Sequence, residues 1–319
     1  MGRHHARVLD LLPGVTLVGA YDPEAGAGAG LPIPTCRSLD ELLDLGLDLA
    51  VMATPTTSHL ELGLRLADAG VPTLIEKPVA TTVAEAYQLA RAFRDAGIVG
   101  GVGHIERFNP ALQEMRRRLD KGQLGEIYQV ATRRTGPFPE RIADVGVVLD
   151  LATHDIDLTS WVTRSAYRSV SAQSAHRSGR RHEDLVAVVA ALDDGSVANH
   201  LVNWLSPLKE RITVVNGERG SLVADTLTMD LTYFANGVAP VEWETMRSFK
   251  GVVQGDMIRY AIPKPEPLLV ELGAFRDSVL GLGGDTVSVL EGARVVAVAE
   301  AMQESARTGA TVTVVEPDC

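Results

Sequence analysis

MGRHHARVLDLLPGVTLVGAYDP fills residues 1–23, and its reading decides the fold. The first eleven or so residues have helical spacing, with His4 and His5 expected on the exposed side of that helix. Pro13-Gly14 ends the helix, and 15–21 (VTLVGAY) reads as a short buried strand closing on Asp22. Dinucleotide-binding folds begin with a strand, then G-x-G-x-x-G, then a helix, with an acid about 20 residues further on for the ribose hydroxyls. Gly2 suits the third glycine of that fingerprint, where a missing side chain lets helix pack on strand, and Asp22 stands at the ribose-binding distance. Asp22 also suits a turn beside Pro23.

The pattern continues outward from this stretch. Segments 48–54 (DLAVMAT), 71–75 (VPTLI) and 98–102 read as buried strands, and 59–69 and 83–96 as the helices between them, which predicts a doubly wound parallel sheet to residue 108. Asn109-Pro110 starts another helix, stopped by Gly122. The texture then changes: 126–135, 185–192, 197–204, 211–215, 221–224 and 229–234 are short alternating or β-branched runs. Helical patterns over 267–280 and 289–307 precede a last strand at 311–315. The fold class is therefore α/β: a Rossmann-like unit over 1–108, then an α+β unit over 109–319 whose mainly antiparallel sheet carries helices on one face. Alternating runs such as 185–192 place apolar residues on both faces of that sheet, so its outer face is expected to form a homodimer or homotetramer.

Composition narrows the function classes. With 319 residues and 45% apolar content, the chain has material for two cores. A net charge of −11 repels nucleic acid and anionic membrane, so neither is an expected partner, and a phosphate-bearing ligand needs local donors. The two cysteines, Cys36 and Cys319, make neither a disulfide framework nor a metal cluster, and no metal is expected. No apolar run approaches the ~18 residues of a membrane span and no signal-peptide core is evident, so the expected setting is cytoplasmic.

Three motifs carry chemistry. Ala53-Thr54-Pro55-Thr56-Thr57-Ser58-His59 lies where a strand ends and a helix begins, offering amides and hydroxyls to a ribose or phosphate; it also suits a plain helix cap at Thr57 or Ser58. Glu76-Lys77-Pro78 leaves the next strand at the same edge, and the proline keeps Lys77 out of a helical conformation, aiming it into the crevice; a surface lysine at a strand exit reads the same way. In 150–157 (DLATHDID), helical spacing puts Asp150 and His154 on one face, with Asp157 a turn beyond. A carboxylate beside an imidazole suits a general base, while an acidic cap with a structural histidine is the alternative.

A-T-P-x-x-x-H, E-K-P and D-x-x-x-H at these separations, followed by an open-faced sheet domain, resemble the Gfo/Idh/MocA family of NAD(P)-dependent oxidoreductases along the whole chain. Within it, 103–110 (GHIERFNP) and 136–150 look most like UDP-N-acetylglucosamine 3-dehydrogenases. The resemblance implies Gly2 and Arg3 at the pyrophosphate, Asp22 at the adenosine ribose, and Thr54, Pro55, His59 and Glu76 towards the nicotinamide half. It makes Lys77 the catalytic lysine and has Asp150 and His154 meet the substrate hydroxyl. Asp22 favours NAD over NADP, because a carboxylate binds two ribose hydroxyls and repels a 2′-phosphate. Arg107, Asn109 and Arg141 are then candidates for the diphosphate of a sugar nucleotide, or else surface salt-bridge formers. Family members open with a strand and G-x-G ahead of the position of Gly2. Met1 is accordingly expected to correspond to an internal position of the phosphate turn, through a late start or a truncation.

Overall fold

The computed structural model describes residues 1–22, 33–139, 145–237 and 253–317. The chain divides into two compact units, Met1–Phe108 with Pro265–Glu300 and Val315–Cys319, and Asn109–Lys264 with Ala301–Val314. This differs from the expected 109–319 in that most of the C-terminal segment belongs to the first unit.

In that unit α1 (Gly2–Leu11) buries His5, Val8 and Leu9, and the stripe continues to Leu12. Positions 5, 8, 9 and 12 repeat at helical spacing, so His5 lies on the inner face, correcting the expectation that it is exposed. Strand β1 (Ala20–Tyr21) pairs in parallel with β2 (Thr35–Cys36), and α2 (Leu39–Leu43) follows, capped by Ser38. The stretch 15–19 is outside the ladder, so the strand expected over 15–21 is realised only at its last two residues. Then come β3 (Ala50–Met52), α3 (His59–Asp68), β4 (Thr73–Glu76), α4 (Val83–Asp95) and β5 (Gly100–Gly103), with the three strands parallel in the order β3-β4-β5. Leu89, Ala90 and Phe93 of α4 pack on Ile75 and Val102 of this sheet.

The second unit opens with α5 (Pro110–Asp120) and β6 (Ile127–Pro137). A π-helical turn, Val148–Ala152, runs into α6 (Thr153–Thr163). There follow β7 (Tyr167–Ala175), β8 (Leu185–Leu192), β9 (Val197–Asn203), β10 (Leu205–Gly217), β11 (Gly220–Asp225), β12 (Asp230–Gly237) and β13 (Val253–Arg259). The C-terminal elements are α7 (Pro267–Val279), α8 (Val289–Thr308) and β14 (Val312–Thr313). The sheet order is β13-β12-β11-β10-β6-β9-β8-β7-β14, antiparallel except where β6 meets β9. Leu112 and Met115 of α5 and Leu158 and Val162 of α6 pack on Val130, Val215 and Leu222, which covers one face of the sheet. The alternation leaves Val189, Val197 and Leu201 exposed on the other.

Leu268, Leu272 and Phe275 of α7 bury against Val8, Leu9, Leu12 and Leu74, which is why this helix belongs with the first unit. Residues 286–288 extend the sheet there: the Val102 amide donates to Val287 O at 2.8 Å, and a Cβ on Gly101 would stand 2.7 Å from the Thr286 side chain. Only glycine allows that approach.

Beneath the second sheet lies a buried polar cluster. Arg134 Nε on β6 donates to both Asp155 oxygens of α6 at 3.1 Å, with both side chains nearly inaccessible. His200 on β9 stands 2.8 Å from the Thr132 hydroxyl through Nδ1 and 2.8 Å from the Tyr167 hydroxyl through Nε2. Burial pushes its pKa down to about 4, so the ring is neutral at pH 7, one nitrogen donating and the other accepting. Removing one partner of a buried pair strands the other's charge. Arg134→Met is therefore expected to cost about 3–5 kcal/mol in urea unfolding, and Arg134→Met with Asp155→Leu distinctly less, because no lone charge is left buried.

Candidate active site

Because β3, β4 and β5 run parallel, residues 53–59, 76–80 and 103–108 leave the sheet at one edge. After β3, a short 3-10 turn, Thr56–Ser58, leads into α3. Ser58 does not cap that helix; its hydroxyl donates to Thr54 Oγ1 at 2.9 Å and fixes the turn. Thr54 is half-buried and Pro55 exposed. His59 is fully buried, with Nδ1 3.0 Å from Pro78 O and Nε2 3.1 Å from Thr54 O. Its ring ties the loop after β3 to the loop after β4. Burial pushes the imidazole below its ordinary pKa, against the raising effect of the surrounding carbonyls. His59, expected towards the nicotinamide, thus faces backbone carbonyls as a loop tie.

At the end of β4, Glu76 Oε1 accepts from His5 Nε2 at 2.7 Å and Glu76 Oε2 from the Lys77 amide at 3.2 Å. Burial alone would raise the Glu76 carboxyl, but the His5 hydrogen bond and the charges of His5 and Lys77 hold it below the ordinary glutamate value. Lys77 is half-buried, followed by a cis bond to Pro78 and the buried Val79 and Ala80. His5 is a site residue that sequence reasoning missed; its place on the apolar stripe was the available signal.

Asp22 is exposed directly after β1. Gly2 and Arg3 occupy the first turn of α1, where among the described residues no side chain caps the helix and a Cβ at Gly2 would meet nothing within 4 Å. Arg107 and Asn109 have structural partners in place of an open face. Arg107 is buried and donates to Glu291 Oε1 at 2.8 Å, while Glu291 forms a capping box with Ser288 at the start of α8. Asn109 caps α5, accepting from the Ala111 amide, and donates to Thr226 O. Arg141 lies outside the described residues.

In the second unit Asp150 falls within the π-helical turn and His154 at the start of α6, so the helix expected to carry both changes winding between them. In a π turn, as in an α turn, residues four apart still share a face, and single π turns are frequent at functional sites. From 152 to 159 every residue is buried except His154, which is half-buried; Asp157 is inaccessible and belongs to the interior. The turn starts on Glu183: its backbone oxygen accepts from the Val147 amide at 3.0 Å and its Oε1 from the Val148 amide at 3.1 Å. Sequence reasoning missed Glu183 as well, since no local pattern couples residues so far apart.

The family model described as an oxidoreductase family with an NAD-binding Rossmann fold matches residues 1–104, and that of the GFO/IDH/MocA C-terminal domain matches 112–223. The myo-inositol dehydrogenase Hyg17 of Streptomyces leeuwenhoekii is 30% identical over 232 residues, covering 70% of this chain and 69% of that protein. This chain belongs to the Gfo/Idh/MocA oxidoreductase family. The UDP-N-acetylglucosamine 3-dehydrogenase of Acidithiobacillus ferrooxidans is 31% identical over 203 residues, 62% of each chain. A solved structure of that organism's UDP-N-acetylglucosamine 3-dehydrogenase superposes with a TM-score of 0.83 at 26% identity, covering 95% of this chain and 93% of that one. As a Gfo/Idh/MocA oxidoreductase, the protein is an enzyme that uses NAD and acts on CH–OH groups. Among the described residues no helix is long and apolar enough to cross a membrane.

Glu76 has a folded-state pKa below its unfolded value, so its contribution to stability is present above pH 4.5 and lost as the pH falls through the folded value. Thermal denaturation of the wild type and Glu76→Gln from neutral pH downward is expected to show the wild type more stable at neutral pH. The difference should shrink once the pH passes below 4.5.

Proposed function

We propose that this oxidoreductase removes hydride from the carbon bearing a secondary hydroxyl of a nucleotide-linked sugar, C3 of UDP-N-acetylglucosamine, giving the 3-keto sugar and reduced NAD. The observation that carries the reading is the likeness to a UDP-N-acetylglucosamine 3-dehydrogenase over 95% of the chain. The 30% identity to a myo-inositol dehydrogenase favours a second reading, oxidation of a free cyclitol.

The residues present suit NAD. The first turn of α1, with its amides uncapped by any described side chain and bearing Arg3, suits a pyrophosphate. The exposed Asp22 suits the adenosine ribose, and Thr54, Pro55 and Glu76 at the sheet edge suit the nicotinamide half, with His59 holding their loops. Bound NAD supplies a hydride acceptor. His154 takes the hydroxyl proton as general base, Asp150 orients its imidazole, and Lys77, as the catalytic lysine, polarises the hydroxyl oxygen. Support for His154 comes from its partial exposure within an otherwise buried run, which leaves one side of a titratable ring reachable while its Nδ1 is buried.

Exposed Val189, Val197 and Leu201 on the uncovered sheet face support a homo-oligomer formed through that face. A monomer by light scattering at micromolar concentration would overturn that part. Lys77→Met and His154→Asn are each expected to lower kcat by about 10²–10⁴ while NAD still binds in a calorimetric titration. Turnover of UDP-N-acetylglucosamine should exceed that of myo-inositol and free glucose when reduced NAD is followed by absorbance. A preference for the cyclitol would select the second reading, and near-normal kcat in His154→Asn would remove the assigned base.

A further inference from the structure

Of the arginines expected to face a diphosphate, Arg107 is committed to Glu291 and Arg141 lies outside the described residues. A chain of net charge −11 still needs local cations to hold such a group. The loop between β7 and β8 has them: His176-Arg177-Ser178-Gly179-Arg180-Arg181-His182 carries three arginines and two histidines in seven residues. We propose that this loop binds the diphosphate of the substrate. The inference rests on the sugar-nucleotide reading above and names the residues that would make it so.

Four observations carry it. First, among the described residues the Arg177 and Arg181 side chains form no ion pair, and both are exposed. Second, the loop is held in shape from below by Asp184, which is buried. Its Oδ2 accepts from the Arg177 amide at 2.8 Å and from the Ser178 amide and hydroxyl at 2.7 Å each, so the arginine stems leave from a fixed backbone. Third, the loop is tied to the catalytic turn. Glu183, its next residue, receives the Val147 and Val148 amides, and the Asp150 amide donates to Gly146 O at 3.1 Å one turn on. Gly146 permits the tie, since a Cβ there would come within 2.1 Å of the Glu183 carboxylate. A ligand anchored on the loop therefore has its sugar beside the turn that carries Asp150 and leads to His154.

Fourth, an aromatic corner adjoins the cations. Phe138 and Trp204 meet edge to face at 5.4 Å, and the Arg180 guanidinium lies 4.1 Å from the centre of the Phe138 ring and 5.1 Å from that of Trp204. Trp204 is buried and backs the corner, and its indole N–H has no hydrogen-bond partner among the described residues. Arginine forks match phosphate oxygens, and stacking on a ring fixes the fork in advance.

The test uses UDP as the probe, titrated calorimetrically onto the full chain, with NADH titration as the check that each variant is folded. Arg177→Ala with Arg181→Ala is expected to weaken UDP binding about tenfold or more while NADH binding holds, and Arg177→Lys with Arg181→Lys to recover part of it. Wild-type UDP affinity should fall with added salt. Equal UDP affinity in the alanine variant overturns the assignment, as does binding of glucuronate in preference to UDP, which would mark a carboxylate site. If the wild type oxidises UDP-N-acetylglucosamine while the alanine variant binds UDP normally, the loop assignment fails alone. If UDP does not bind and only free cyclitols are oxidised, the sugar-nucleotide reading fails with it.

Discussion

A carboxylate buried at the end of a central strand has to be matched, and in the first unit Glu76 is matched by His5 from α1 and by the amide of Lys77. Isolated, such a charge is costly in a low-dielectric interior; paired and hydrogen-bonded, it locks together the elements that supply its partners. Here those elements are the first helix, the end of β4 and the lysine that follows. His59 does the same one loop away by bridging Thr54 and Pro78. The sheet edge is therefore fixed by a half-buried acid and a buried ring, while Asp22 is exposed and Lys77 half-buried.

The second unit solves a different problem. A helix buried on nearly all sides, as α6 is, has little solvent to satisfy its polar residues, so Asp155 is paired internally with Arg134, while beside it His200 of β9 is satisfied by the Thr132 and Tyr167 hydroxyls. Fixing α6 in this way fixes His154, which alone in the run 152–159 escapes burial. The start of the helical segment is held from a distant loop by Glu183, so the turn that carries Asp150 and the cationic loop are one connected construction. A change in the loop should reach Asp150 through two hydrogen bonds and no long lever.

By itself the sequence determined the class of fold and the motifs. Strand and helix alternation to residue 108 follows from local periodicity, and E-K-P and D-x-x-x-H are short patterns whose residues sit together because they are neighbours in the chain. The capping role of Asn109 was likewise local. β7 and β13 escaped the reading because their apolar residues are few, and a strand in a sheet, whether interior like β7 or at the edge like β13, draws its stability from neighbours that local pattern does not reveal. Only the tertiary structure decided which polar residues are partners and which are open. His5 turned inward because α1 packs on α7, whose leucines come from more than 250 residues away. Arg107 was committed to Glu291, and Glu183 to the turn before Asp150, by contacts between segments far apart in the chain. Charge and residue type can be read along a chain, but whether a given arginine meets a carboxylate or water depends on long-range packing, which one-dimensional spacing does not encode.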